Sequence, residues 1–148
     1  MTQIVPHILI IGGDSRIARV LAKVRGKETR SIVRRSPSSS LDIVVTDYGD
    51  LPAHSFDGID CAVNCVGISS GEAAELQRVN VDIPFRAAQA AKAAGVRCFI
   101  HISSFSVYGG AREIDRTTPV APTSDYGRSK LAADEALLQL CDDSFPYQ

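Results

Sequence analysis

The sequence predicts an α/β fold of the doubly wound kind, a parallel sheet with helices on both faces and strand order 3-2-1-4-5. Short apolar runs recur along it: ILIIGG, SIVRR, DIVVTD, CAVNCVG and CFIHIS. Helix-like stretches separate several of them. The runs lack the polar alternation of half-exposed strands, the mark of strands covered on both sides in parallel sheets. Right-handed crossovers then fix the order.

Taken in turn, residues 4 to 11 read as a buried strand and residues 15 to 24 as a helix. Residues 29 to 33, 41 to 46 and 61 to 66 read as three further strands, rich in Val and Ile. Residues 72 to 94 form a long helical region that turns alanine-rich, with Pro84 as a break or kink and Gly95 as its stop. A fifth strand follows over residues 96 to 103, then a helix over 125 to 140. RRSPSSS at 34 to 40 is an exposed loop. The final FPYQ reads as the entry to a strand that is not completed, which makes the sequence look like a fragment or a shortened chain.

At 148 residues and 45% hydrophobic, the chain suits one domain with its own core. Its net charge of -1 gives no bulk attraction to nucleic acid or to an anionic membrane. The apolar runs are too short to span a bilayer, and residues 1 to 8 lack the pattern of a signal peptide, so a cytoplasmic protein is expected. The four cysteines (Cys61, Cys65, Cys98, Cys141) show no C-x-x-C pair, and no metal site is expected. They read as reduced core residues. His7, His54 and His101 are scattered and read as structural.

Three stretches carry chemistry. The first strand runs into IIGGDSRIARVL, a glycine turn leading into a helix, where amides and helix dipole can receive a diphosphate. At G-x-x-G-x-x-G spacing the positions are Gly12, Ser15 and Ala18, so only the first is glycine. Ser15 offers a hydroxyl, Ala18 permits close packing, and Asp14 beside a diphosphate is an objection. A dinucleotide site and an ordinary strand-to-helix turn both fit. The second strand ends in Arg34 and Arg35 where an acidic residue would hold the ribose of NAD. Two arginines suit the 2′-phosphate of NADP, or else a solvated loop. SDYGRSK at 124 to 130 puts Tyr126 and Lys130 on one helix face, as an active site or merely as a helix start.

In order and spacing these stretches, with VTDYGD, AVNCVG, RVNVDIPFRAAQAAKAAGV and HISSFSVYG, resemble the amino-terminal part of the extended short-chain dehydrogenase/reductase family, which includes nucleotide-sugar epimerases and dehydratases. The resemblance covers nearly the whole chain. It implies a Rossmann-like NAD(P)-binding domain and a catalytic set of Ser104, Tyr126 and Lys130. Ser104 is preferred because it fits S-x-x-V-Y-G, with Ser106 in reserve and Ser103 turned to the sheet. The implied cofactor contacts are Gly12, Gly13, Ser15, Arg16, Ile17, Arg34, Arg35, Asp47 (toward the adenine), Cys65, Val66, Gly67, Asn80, Tyr126 and Lys130. NADP is the expected cofactor, with NAD as the alternative.

A free phenol titrates near 10, and one ammonium about 4 Å away favours phenolate by about 4 kcal/mol at an effective dielectric near 20. A Tyr-Lys pair therefore suits proton transfer to a hydroxyl or carbonyl oxygen as a hydride moves. The segment 111 to 124, with Glu113 and Asp115, is either a substrate-facing loop or a surface connection. The resemblance further implies a nucleotide sugar as substrate and a homodimer through helices at 83 to 94 and 126 to 140, although RAAQAAKAA suits packing on the sheet equally well. The alternatives to an enzyme are a noncatalytic dinucleotide-binding module, such as a redox sensor, and an inactive remnant.

Overall fold

The computed structural model describes residues 7–25, 29–35 and 37–146. Five strands, β1 (Ile8–Ile11), β2 (Thr29–Val33), β3 (Ile43–Val44), β4 (Cys61–Asn64) and β5 (Cys98–His101), form one sheet in the order β3-β2-β1-β4-β5. All of its pairings are parallel. Ile8 stands opposite both Thr29 and Cys61, and Cys61 stands opposite Cys98, so β1 is central and in register with its neighbours. The expected fold and strand order are those observed.

β2 spans the expected residues 29 to 33, and the other four strands are shorter than their apolar runs. Residues 4 to 6 of the first run lie outside the described residues, and β3 keeps only the pair that reaches β2. The runs overshoot at their ends because Val66 and Val96 are buried as loop residues of the core, while Val45, just past β3, still donates its N–H to Val33 O at 2.8 Å.

Helix α1 (Arg16–Arg25) starts at Ser15, whose Oγ accepts the Ala18 N–H at 3.1 Å as an N-cap. Lys23 and Arg25 in its last turn complement the helix dipole. The long helical region comprises α2 (Ala73–Gln77), a π turn (Arg78–Asp82) and α3 (Ile83–Ala93). Pro84, expected as a break, is the second residue of α3, one residue past the π turn. It has no N–H to give and its ring crowds the carbonyl four residues back, and the wider turn relieves both problems. α3 ends in a Schellman motif, with Gly95 N–H on Lys92 O and Val96 N–H on Ala91 O, both at 3.0 Å. Helix α4 (Asp125–Leu138) is capped by Ser124, whose Oγ accepts the Gly127 N–H at 3.0 Å.

The core lies on one face of the sheet, where Leu9, Ile11, Ile32, Ala62 and Phe99 meet Ala87, Ala88 and Ala91 of α3 and Leu137 of α4. The small residues of RAAQAAKAA thus serve the sheet contact. The opposite face carries α1, whose Val20 and Val24 are 64% and 75% exposed beside an apolar groove that reaches Ile100 and Ile102.

Residues 147 and 148 of FPYQ, the expected entry to a further strand, lie outside the described residues, and the chain before them forms a turn. Asp142 and Phe145 close a tight turn, and the buried Phe145 ring packs 6.1 Å from Phe99. Lys92 holds the segment from α3, its Nζ donating to Leu140 O and pairing with Asp142, both at 2.6 Å. The cysteines are free, as expected, but only half-buried. Among the described residues no helix is long and apolar enough to cross a membrane.

Candidate functional site

The strand order reverses beside β1, and a crevice of about 360 Å³ opens there at the carboxyl ends of the strands. Its lining comes from separate segments: Gly12, Asp14 and Ser15 after β1; Arg34 after β2; Asp47 and Tyr48 after β3; Cys65, Val66, Gly67 and Ile68 after β4; and Glu75, Arg78, Val79 and Ile83 from the helices. Of the residues singled out in the sequence, Gly12, Ser15, Arg34, Asp47, Cys65, Val66 and Gly67 converge here, whereas Gly13, Asn80, Ser104, Tyr126 and Lys130 stand outside this lining. Arg35 is exposed and absent from this lining, and the side chains of Arg16 and Ile17 line the apolar groove beside α1 instead.

Gly12 holds φ at +88°, and a Cβ there would meet Val66 at 2.9 Å, so glycine is required where β1 leaves the sheet. The amides of Gly12 and Gly13 donate to Ile32 O at 3.2 and 2.8 Å, and Ser15 N–H donates to Gly12 O at 3.0 Å. The turn is thus held by its own backbone. Because Ser15 Oγ caps Ala18, the helix amides left without an intrahelical acceptor are those of Arg16 and Ile17.

Asp14, the objection raised by the sequence, is turned onto the end of β2. Its Oδ2 accepts the Arg34 N–H and the Tyr48 hydroxyl, both at 2.7 Å. Burial works to raise its pKa, but those two hydrogen bonds and the Arg35 and Arg34 charges prevail and hold it below the usual carboxylate range. The Arg34 guanidinium stacks over the Tyr48 ring, 5.3 Å from its centroid. At the lip, Asp47 accepts the Gly49 N–H at 2.6 Å and pairs with Arg78. Burial pushes the Cys65 thiol up to about 11, so it faces the crevice as a neutral thiol.

The π turn carries Asn80, fully buried, whose amide bonds both backbone groups of Ile68: Oδ1 accepts its N–H at 2.8 Å and Nδ2 donates to its carbonyl at 2.9 Å. The same Nδ2 donates to Ser129 Oγ of α4 at 2.9 Å, and Ser129 donates to Tyr126 O at 2.8 Å. One amide therefore ties the loop after β4 to the tyrosine-bearing turn.

After β5, Ser104 caps a 3₁₀ turn (Phe105–Tyr108). Its Oγ accepts the Ser106 N–H and donates to Ser106 Oγ, both at 3.1 Å. The first turn of α4 lies against this turn, close enough that a Cβ on Gly127 would stand 2.5 Å from Ser106 O. Tyr126 is half-buried in that first turn. Lys130, one turn on, is 3% exposed, and its Nζ donates to Ile102 O at 2.6 Å and lies 3.2 Å from His101 Nε2. Burial lowers its pKa, while Asp134 opposes the shift.

Ser103 does not face the sheet, contrary to expectation. It donates to Asp134 Oδ2 of α4 at 2.6 Å, because the chain leaves β5 toward that helix. Asp115 in the 111 to 124 segment accepts Thr117 and Thr118 within its own turn, which supports the reading of a surface connection there. Asn64 and Asp134 were not singled out in the sequence, and His101 was read there as structural. Strand alternation carried a signal for His101, since it shares a face with core residue Phe99 and so looks toward α4.

Residues 8–146 match the family model described as the NAD dependent epimerase/dehydratase family. The chain is 30% identical to a dTDP-6-deoxy-L-talose 4-dehydrogenase (NAD(P)(+)) of Kitasatospora kifunensis, covering 90% of this chain and 47% of that protein. It is likewise 30% identical to a dTDP-4-dehydrorhamnose reductase of Mycolicibacterium smegmatis, over 94% of this chain and 43% of the relative. Among solved structures, a short-chain dehydrogenase/reductase superfamily protein from Agrobacterium tumefaciens with bound NAD matches with a TM-score of 0.75 at 27% identity, covering 90% of this chain and 44% of that one. The chain spans about half the length of the curated relatives it matches. With a parallel Rossmann-like sheet, a switch-point crevice and a match running from Ile8 to Pro146, the chain belongs to the NAD-dependent epimerase/dehydratase family.

Proposed function

We propose that the chain binds NAD(P) in the crevice beside β1 and contributes Ser104, Tyr126 and Lys130 to hydride transfer at a hydroxyl or ketone carbon, the substrate being a nucleotide sugar. The observation that carries this reading is Lys130. A lysine buried to 3% exposure forfeits hydration, and its Nζ is held by Ile102 O one helical turn from Tyr126. Surface helices do not need such an arrangement.

The residues present fit a dinucleotide. The crevice has the size of a small-molecule site. Gly12 keeps the turn flush against Val66, and the Arg16 and Ile17 amides stand at a helix start suited to a diphosphate. When bound, the nicotinamide supplies the carbon that carries the hydride. Tyr126 gives or takes the hydroxyl proton, Lys130 supplies the positive charge that favours phenolate, and Ser104 hydrogen-bonds the reacting oxygen. Gly12, Gly13, Ser15, Asp47, Cys65, Val66, Gly67 and Asn80 form or brace the cofactor cleft in this reading.

NADP is favoured by Arg34 at the crevice and Arg35 beside it, NAD by the solved relative that carries it. Fluorescence titration with NADPH and NADH tests this. Replacing both arginines with alanine is expected to weaken NADPH by about tenfold or more and NADH by little, the loss of charge-assisted phosphate contacts. Equal loss for both would remove the 2′-phosphate assignment.

The nucleotide-sugar substrate is supported by the dTDP-sugar enzymes among the relatives. A cytoplasmic setting is supported by the free cysteines. A homodimer through the outer faces of α3 and α4 completes the reading, with sedimentation as its test.

A noncatalytic dinucleotide-binding module is the second reading. It is favoured by the altered glycine positions Ser15 and Ala18. Tyr126→Phe separates the two. For the enzyme, turnover falls by about 10²-fold or more with dinucleotide affinity within a few fold. Unchanged turnover would exclude Tyr126 from the chemistry.

A further inference from the structure

A second group holds Lys130 besides the Ile102 carbonyl. Nζ lies 3.2 Å from His101 Nε2, deep between β5 and α4. An ammonium has three N–H donors and no acceptor. A hydrogen bond at that distance therefore requires a bare Nε2, which places the imidazole proton on Nδ1.

The neighbour of Nδ1 is Asn64 of β4, whose Nδ2 lies 3.1 Å away. With its nitrogen toward the ring, Asn64 donates to Val66 O over a long 3.4 Å, meets no acceptor on a protonated Nδ1 and leaves its own Oδ1 buried and unpaired. With its oxygen toward the ring, it gives up the long Val66 contact, accepts the Nδ1–H at 3.1 Å, and the orphaned oxygen gains its partner. The charged groups facing the ring are Lys130 and, with its Oδ1 3.9 Å from Nε2, Asp134, both on α4. Burial, reinforced by the Lys130 charge, pushes the His101 pKa down to about 3, so the ring stays neutral through the physiological range.

Resting on the reading of Lys130 as a catalytic residue, we propose that His101 is its positioning residue: the neutral Nδ1–H imidazole, fixed by Asn64, accepts one Lys130 N–H, Ile102 O accepts a second, and the third is left to point toward Tyr126 and the cofactor crevice. A strand residue on β4 thereby sets the direction of a charge on α4. The arrangement differs from a lysine on a mobile stem, because two of its three donors are spent inside the protein.

The test uses two readouts. In the full chain with ¹⁵N-labelled histidine, and with His101→Gln identifying the resonances, the ring should show Nδ1 protonated and Nε2 bare at pH 7 and unchanged at pH 5. Asn64→Leu should shift proton population toward Nε2, and Lys130→Met should move the Nε2 resonance. A wild-type ring protonated at Nε2, or at both nitrogens, overturns the proposal whether or not the variants fold.

The second readout is NADH and NADPH affinity as a function of pH. His101→Leu, which offers no acceptor, should weaken the better-bound of the two about fivefold, the worth of one hydrogen bond. His101→Gln, whose Oε1 can replace Nε2, should recover most of that. Equal loss in both variants, or none in the leucine variant, overturns the positioning role. If the wild type binds neither dinucleotide while the ¹⁵N pattern is as expected, the cofactor reading fails and the geometry of the lysine stands.

Discussion

A single buried imidazole gives this protein a pH signature. Unfolded, His101 titrates near 6.5; folded, burial and then the Lys130 charge bring it to about 3. Between those values the unfolded chain binds a proton that the folded chain does not, so stability falls as pH drops from 6.5 toward 3, with a slope of about 1.4 kcal/mol per pH unit. The depressed carboxylates act elsewhere: Asp14 and Asp47 contribute stability above their ordinary value of 3.8 and lose it only as pH falls through their lower folded values. Urea unfolding at pH 6.5, 5.5 and 4.5 thus isolates the histidine, and His101→Gln is expected to flatten the slope. Equal slopes in wild type and variant would mean the ring is charged or solvated in the fold. That Tyr126 and Lys130 share one helix face was legible in the sequence, because a helix keeps i and i+4 together, while the role proposed for them came from the resemblance and not from the spacing. The contact of His101 was not legible, since its partner lies 29 residues away and no local pattern encodes that separation.

At the scale of elements, the π turn has the widest effect. It was invisible in the sequence beyond the break at Pro84, because apolar spacing reports the period of a helix and not one extra residue in a turn. Its product is the fully buried Asn80, with hydrogen bonds to Ile68 and Ser129. Asn80→Leu keeps the volume, strands both backbone groups of the half-buried Ile68 and takes a donor from the buried Ser129 Oγ, so it should destabilise the fold by about 2 to 4 kcal/mol. Chemical denaturation measures this, and a loss under about 0.5 kcal/mol would show that water replaces the amide at no cost. The strand boundaries were overestimated for a related reason. Val66 and Val96 are as buried as ladder residues, so hydrophobicity alone does not show where pairing stops.

For the whole molecule, the order of the strands was readable because alternating strands and helices with right-handed crossovers leave few topologies. The unequal covering of the sheet was not. The amphipathic pattern of α1 shows that it has an apolar side without showing how much of the sheet that side covers, and Val20 and Val24 remain largely exposed. Val20→Glu with Val24→Gln is expected to change unfolding free energy by less than about 0.5 kcal/mol while reducing the binding of a hydrophobic dye. A loss above about 1.5 kcal/mol would show those side chains to be packed.

The Asn80 amide also has a meaning in time. Since it bonds the loop after β4 and the helix carrying Tyr126 at once, neither can open without stranding the other's polar groups. The two segments form one cooperative unit of local unfolding, so amide exchange at Ile68 should keep pace with exchange in the first turns of α4. A dinucleotide lying against the loop would then slow exchange in a helix it touches at only one end.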